Sequence, residues 1–155
     1  WNYGRDSDRR INYVKDPAGA TTTYSFDSQQ RLSSLTRPLG DQTTYGYNNA
    51  APPNAPRTMG NVTSITEAPR TGPAERAVNM VRTTLIGYGP ANQPASISNA
   101  DGSTTTISRD SRGNPQSITD ASGITTATVY DQRGLLKQSV DPRSGTSTFE
   151  YDENG

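Results

Sequence analysis

The sequence of 155 residues contains no cysteine and no histidine. The first absence rules out disulfides, thiolate metal sites and a cysteine nucleophile, and leaves the redox compartment open. The second rules out triads of the Ser-His-Asp kind. Large apolar side chains are also scarce: Leu, Ile, Val and Phe number 21 among the 155 residues, below the ~20% share under which a chain reads as disordered. No apolar run approaches the ~18 residues of a membrane span, and Trp1 opens neither a secretory signal nor a chain with an initiator Met, as expected of a piece cut from a longer protein. A dominant charge is missing too. The 15 basic and 15 acidic residues cancel, whereas disorder of the low-hydrophobicity kind comes with a large net charge. Something other than a thick core must order this chain.

What is present is turn and strand chemistry. The 14 glycines, 11 prolines, eight tyrosines and many threonines point to short strands broken by frequent turns. The pairs Arg5-Asp6, Phe26-Asp27, Tyr47-Asn48, Tyr88-Gly89, Arg109-Asp110, Tyr130-Asp131 and Tyr151-Asp152 mark one recurring position. They lie 21 residues apart, except for a gap of 41 between Tyr47 and Tyr88, which fits one unit carrying 20 extra residues. Three residues beyond the second member comes a turn residue, Gly113, Gly134 or Gly155, with Asn92 and Gln30 as weaker occupants. A second turn closes each unit, as in Asp16-Pro17-Ala18-Gly19, Arg37-Pro38-Leu39-Gly40 and Asp120-Ala121-Ser122-Gly123. A threonine-rich run such as Thr21-Thr22-Thr23 then leads back to the aromatic.

Each unit therefore reads strand, turn, strand, turn, a β-hairpin feeding into the next. Tyr24 and Phe26, like Tyr45 and Tyr47, sit two apart and share one face of a pleated strand. The apolar residues of the following strand, Ile11 and Val14, Leu32 and Leu35, Val62 and Ile65, are three apart, which strict alternation would place on opposite faces. A β-bulge or a sheet covered on both faces would reconcile them. Helical periodicity is weak everywhere, and residues 74–81 hold one or two turns at most. The expected fold is all-β: tandem antiparallel β-hairpins of about 21 residues, with roughly twelve strands in a sheet about 20 Å wide. Strand twist makes such a long sheet curved, the usual outcomes being a barrel, a propeller or a spiral.

The order from Tyr130 to Asp152, Tyr-Asp-x-x-Gly, then Leu, Asp-Pro-x-x-Gly, Thr and aromatic-x-Tyr-Asp, resembles the YD repeat of Rhs proteins, toxin-complex shell subunits, wall-associated proteins and teneurins. Seven pairs in register extend the resemblance over essentially the whole chain. It implies that residues 1–155 are a single YD-repeat array segment, truncated at both ends, whose curved, spiralling sheet is part of the wall of a hollow shell. The natural chain is expected to continue in both directions, since neither end carries a polar capping repeat. In bacterial members the shell encloses a C-terminal toxin until delivery, so the resemblance implies a secreted or cell-surface protein of interbacterial competition or insect pathogenesis. Its partners would be neighbouring repeats and the enclosed toxin domain. The alternative is an adhesion module that binds glycans or a partner protein. The family's self-cleaving end carries Asp-Pro-x-Gly-Leu, from which Asp141-Pro142-Arg143-Ser144-Gly145 departs. No enzyme activity, cofactor, metal or nucleic-acid partner is expected.

The positions that define the repeat are Phe26, Asp27, Tyr47, Tyr88, Asp110, Gly113, Tyr130, Asp131, Gly134, Tyr151, Asp152 and Gly155. Asp beside an aromatic suits a sugar ring, but the favoured reading is that these carboxylates bond their own turn backbone and the aromatics pack between strands. Asp8 and Asp101 lack the spacing of a calcium loop, and Arg5, Arg9 and Arg10 form too small a basic cluster for nucleic acid. Insertions at 49–59 and 68–79 within the third repeat, with Pro52, Pro53, Pro69, Arg70 and Pro73, are candidate partner-contact loops, the favoured reading being a tolerated surface insertion. Exposed strand edges would permit self-association.

Overall fold

The computed structural model of the protein describes residues 1–48, 60–69, 80–90 and 92–154. Thirteen strands follow one another along the sheet in chain order: β1 (Asn2–Arg5), β2 (Ile11–Lys15), β3 (Thr21–Phe26), β4 (Leu32–Thr36), β5 (Gln42–Tyr47), β6 (Val62–Ala68), β7 (Arg82–Tyr88), β8 (Pro94–Ser98), β9 (Thr104–Arg109), β10 (Pro115–Thr119), β11 (Thr125–Tyr130), β12 (Leu136–Asp141) and β13 (Gly145–Thr148). No helix occurs among the described residues. The sheet has one strand more than the hairpin count implies, because the run after the last turn adds β13. Contacts divide the chain into two compact units, Trp1–Leu85 and Ile86–Gly155.

In the first unit, Phe26 of β3 faces Leu32 of β4 while Ser25 faces Ser34, leaving Ser33 as an extra residue. The same bulge leaves Asn12 extra opposite Gly4 and Arg5, and Thr63 extra opposite Gly46 and Tyr47. The second unit repeats it with Gln116 between the partners of Ser108 and Arg109, and with Lys137 between those of Val129 and Tyr130. Of the two explanations for apolar residues three apart, the bulge is the one present. Leu35 faces Tyr24 and Leu32 faces Phe26, so both leucines share the aromatic face.

Both turns of a unit close in the same way. The Gly113 N–H donates to the Asp110 carbonyl at 3.0 Å, and the Asp110 N–H to the Asn114 carbonyl at 2.9 Å. At the other end of the hairpin, Gly123 donates to Asp120 at 3.0 Å and Asp120 to Ile124 at 2.8 Å. The fourth turn residue is left-handed, with φ of 90° at Gly113 and 80° at Gly123, and Arg9, Gln30 and Asn92 hold the same place at 65°, 66° and 58°.

The first insertion opens such a turn without destroying its frame. Asn48 N–H still donates to the Asn61 carbonyl at 3.1 Å, and Gly60 N–H to the Asn48 carbonyl at 3.4 Å; residues 49–59 stand where two residues usually do. The second insertion starts later than the sequence implies, because β6 continues through Ala68, which pairs with Gln42. Pro69, which has no N–H to extend the ladder, follows the strand. The expected short helical stretch falls mainly on residues outside the described ones.

Among the described residues no apolar side chain is fully buried, and Thr43, 4% exposed, is the single buried residue. The face opposite the aromatics is hydroxylic. Cross-strand oxygens meet at 3.0 Å in Thr66–Thr83, 2.9 Å in Ser98–Thr104, 2.8 Å in Ser108–Ser117 and 2.8 Å in Thr119–Thr125.

Candidate functional site

The recurring feature of the array is the corner where a strand runs into its aspartate turn. Asp27 Oδ1 accepts the backbone N–H groups of Gln29 and Arg31, both at 2.9 Å. Asp131 Oδ1 accepts those of Arg133 and Leu135 at 2.9 and 2.8 Å, and Asp110 those of Arg112 and Asn114, both at 2.9 Å. One oxygen thus ties the turn closed, which explains why Asp stands there. The second oxygen reaches along the strand: Asp27 Oδ2 accepts from Arg31 Nε at 2.7 Å and Asp6 Oδ2 from Arg10 Nε at 2.8 Å.

Those arginines link one repeat to the next. The Arg10 guanidinium lies 4.5 Å from the centroid of the Phe26 ring, and that of Arg31 4.3 Å from the Tyr47 ring. Tyr47 completes the link by donating its hydroxyl to the Leu32 carbonyl at 2.7 Å, and Tyr151 does the same to Leu136 at 2.9 Å. Both acceptors border the bulge. In the second marked pair of the second unit the aromatic gives way to Arg109, whose Nη2 donates to the Pro94 carbonyl at 3.3 Å, again fifteen residues upstream. Thr128 rather than Tyr130 donates to the Pro115 carbonyl. Side chains in the turns add a lateral tie, Arg112 Nη1 to the Gln132 carbonyl at 2.9 Å and Arg133 Nη1 to the Asp152 carbonyl at 3.0 Å.

Electrostatics follow this bonding. The Asp27 carboxyl is held below its ordinary value chiefly by the Arg31 N–H, against partial desolvation, with the Arg31 guanidinium adding to it. The Leu135 N–H does the same for Asp131, and the Asn114 side chain for Asp110. At Asp6 desolvation is the largest influence and acts upward, but the Arg10 N–H and guanidinium outweigh it. Burial, with the nearby Asp27 charge, pushes the Tyr47 hydroxyl up.

Phe26, Asp27 and Tyr47 are thus drawn into one linked corner, and Asp110, Gly113, Asp131, Gly134, Tyr151 and Asp152 occupy equivalent corners. Tyr88 ends β7 and Tyr130 ends β11. Pro52, Pro53, Arg70, Pro73 and Gly155 lie outside the described residues, while Pro69 borders a small hollow with Arg37, Glu67 and Arg82. Asp8 pairs with Arg10 at 2.8 Å, and Asp101 Oδ1 accepts the Ser103 N–H at 2.9 Å. Sequence reasoning missed the hydroxyl-to-carbonyl hooks and the role of Arg109. The constant offset of the marked pairs was the available signal.

Residues 6–42 and 88–127 match the family model described as RHS Repeat. The chain belongs to the RHS-repeat family. No curated protein is similar enough in sequence to match. Among solved structures, the RHS-repeat chain is similar to the TcdB2-TccC3-Cdc42 crystal structure, at 15% identity over 96% of its length and 9% of that chain, with a TM-score of 0.51. It also matches the Photorhabdus luminescens Tc holotoxin pore at 11% identity, over 97% of its length and 12% of that chain, with a TM-score of 0.31. The RHS-repeat chain thus spans about a tenth of the solved chains it matches, and the first of these shares its fold. No helix among the described residues is long and apolar enough to cross a membrane.

Proposed function

We propose that this segment is a stretch of wall in a larger RHS-repeat shell that encloses a toxin domain of the same protein, secreted or displayed at the cell surface, with a structural and not a catalytic role. The observation that carries the reading is the hook between repeats. Tyr47, Arg109 and Tyr151 each fasten a repeat to a carbonyl fifteen residues earlier, an arrangement that propagates without a core and suits a wall of indefinite length. The tyrosines an adhesion module would offer to a sugar are in part engaged here, Tyr47 lying under Arg31. The test is a glycan-array measurement on the purified chain beside folded Tyr47→Ala and Tyr130→Ala variants. A blank array is expected. Specific binding lost in the folded variants would overturn the wall reading in favour of adhesion.

A further inference from the structure

One repeat of the second unit departs from the corner design at three places together. Gly89 stands where Asp6 and Asp27 stand, Gln93 where Arg10 and Arg31 stand, and Arg109 where Phe26 and Tyr47 stand. The result is a groove of about 530 Å³ lined by Gly89, Pro90, Gln93, Ala95, Ile107 and Arg109 among others, within the size range of ligand sites. Two polar atoms of its lining have no partner, the Arg109 Nε and the Gln93 Oε1. Arg109 spends its terminal nitrogens on the Gly113 and Pro94 carbonyls, and no described carboxylate forms an ion pair with it. Asp110, next in the chain, has its oxygens committed to Arg112 and Asn114.

In the sister corners the turn carboxylate is met by the arginine at the Gln93 place, Asp6 Oδ2 by Arg10 Nε at 2.8 Å and Asp27 Oδ2 by Arg31 Nε at 2.7 Å; in this corner the guanidinium comes from the aromatic's place, as Arg109, and lines the same groove. The missing component at Gly89 is therefore a carboxylate. A side chain would fit there, since a Cβ on Gly89 meets nothing nearer than the Ala95 Cβ at 3.7 Å. We propose that this groove binds an acidic side chain of a peptide segment, its carboxylate accepting from the Arg109 guanidinium and a neighbouring peptide N–H donating to Gln93 Oε1. Pro90, Ala95 and Ile107 supply the apolar bed for the chain that carries it. Charge complementarity selects this occupant: the cation is fixed, short of an anion, and flanked by an unmet acceptor.

The experiment is an NMR titration of the whole chain, following the Arg109 Nε–Hε and Gln93 side-chain amide resonances. The probes are a capped aspartate-containing tripeptide, its asparagine counterpart and sodium acetate. A saturable shift with the acidic peptide is expected, with binding at least tenfold weaker for the asparagine peptide. Gly89→Asp supplies the carboxylate from within and is expected to abolish binding while leaving the backbone spectrum folded. Arg109→Tyr, which restores the residue type of Tyr47, should do the same, and Gly89→Asp decides alone if that variant misfolds. No shift with the acidic peptide, equal binding of the asparagine peptide, or undiminished binding by Gly89→Asp would overturn the proposal. Acetate binding as tightly as the peptide would overturn the peptide source.

Discussion

At the residue scale, the fourth position of each turn shows how a backbone demand selects a side chain. Gly113, Gly123 and Gly134 take φ between 80° and 90°, where an L-residue bears the clash of its Cβ with the following carbonyl. Gln30 accepts the same region at 66° because its turn is closed from outside, by Asp27 Oδ1 holding Gln29 and Arg31. Gln30→Gly is therefore expected to stabilise the chain by up to about 1 kcal/mol, the relieved left-handed cost of ~1–2 kcal/mol being partly offset by the greater freedom of glycine when unfolded. Gly134→Ala should cost about 1–2 kcal/mol, since open space around its Cβ leaves backbone strain as the whole effect. Urea midpoints of the two variants test both signs at once, and equal midpoints would mean that the turn conformation is not energetically distinct.

At the element scale, the bulge and the hook depend on each other. Ser33 is the extra residue that turns Leu32 toward Phe26, and the Leu32 carbonyl beside it receives the Tyr47 hydroxyl. Tyr47→Phe removes one hydrogen bond and keeps the ring under Arg31, as Phe26 does naturally beneath Arg10, so a loss of about 1 kcal/mol is expected. Deleting Ser33 leaves Leu32, Ser34 and Leu35 in strict alternation, with both leucines still on the aromatic face, and removes only the bulge that sets the Leu32 carbonyl toward Tyr47, so it should cost about as much as Tyr47→Phe. Thermal melts of the two variants beside Ser33→Ala separate loss of the bulge from loss of a serine hydroxyl. Much of this level was legible beforehand. The Asp-x-x-Gly turns, the threonine-rich strands and the paired aromatics all sit where the repeat register puts them, because turn residues and period-two faces are local chemistry. The bulge was legible only as one of two options, since a three-residue apolar spacing does not say which residue is extra. The hooks were not legible, because each joins a side chain to a backbone atom that no residue type advertises. Arg109 looked like one more degenerate member of the register, although a guanidinium at the aromatic position keeps the hook and loses the stack.

At the scale of the whole molecule, since no apolar side chain among the described residues is fully buried, stability must come from contacts between neighbours in the ladder. Each repeat then contributes through its own turns and its interface with the next, and the aspartates are common to both. Asp6, Asp27, Asp110, Asp120 and Asp131 all titrate below their ordinary value of 3.8 in the folded chain. The unfolded chain therefore binds protons at a higher pH than the folded one. This contribution to stability is fully present above the ordinary aspartate range and is lost as pH falls through the folded values. With no histidine in the chain, no side chain has an unperturbed pKa in the neutral range to add a second transition there. The melting temperature should stay nearly level from about pH 7 to about pH 5 and then drop steeply below about pH 4. Asp27→Asn with Asp131→Asn keeps an oxygen that can accept the turn N–H groups but gives up the charge that holds Arg31 and Arg133. The double variant should melt lower than the parent at pH 7 and show a shallower acid limb, so that the two curves converge as pH falls through the folded aspartate values. Parallel curves across the whole range would mean that these carboxylates titrate alike in the folded and unfolded chain, and that the corners are held by the backbone alone.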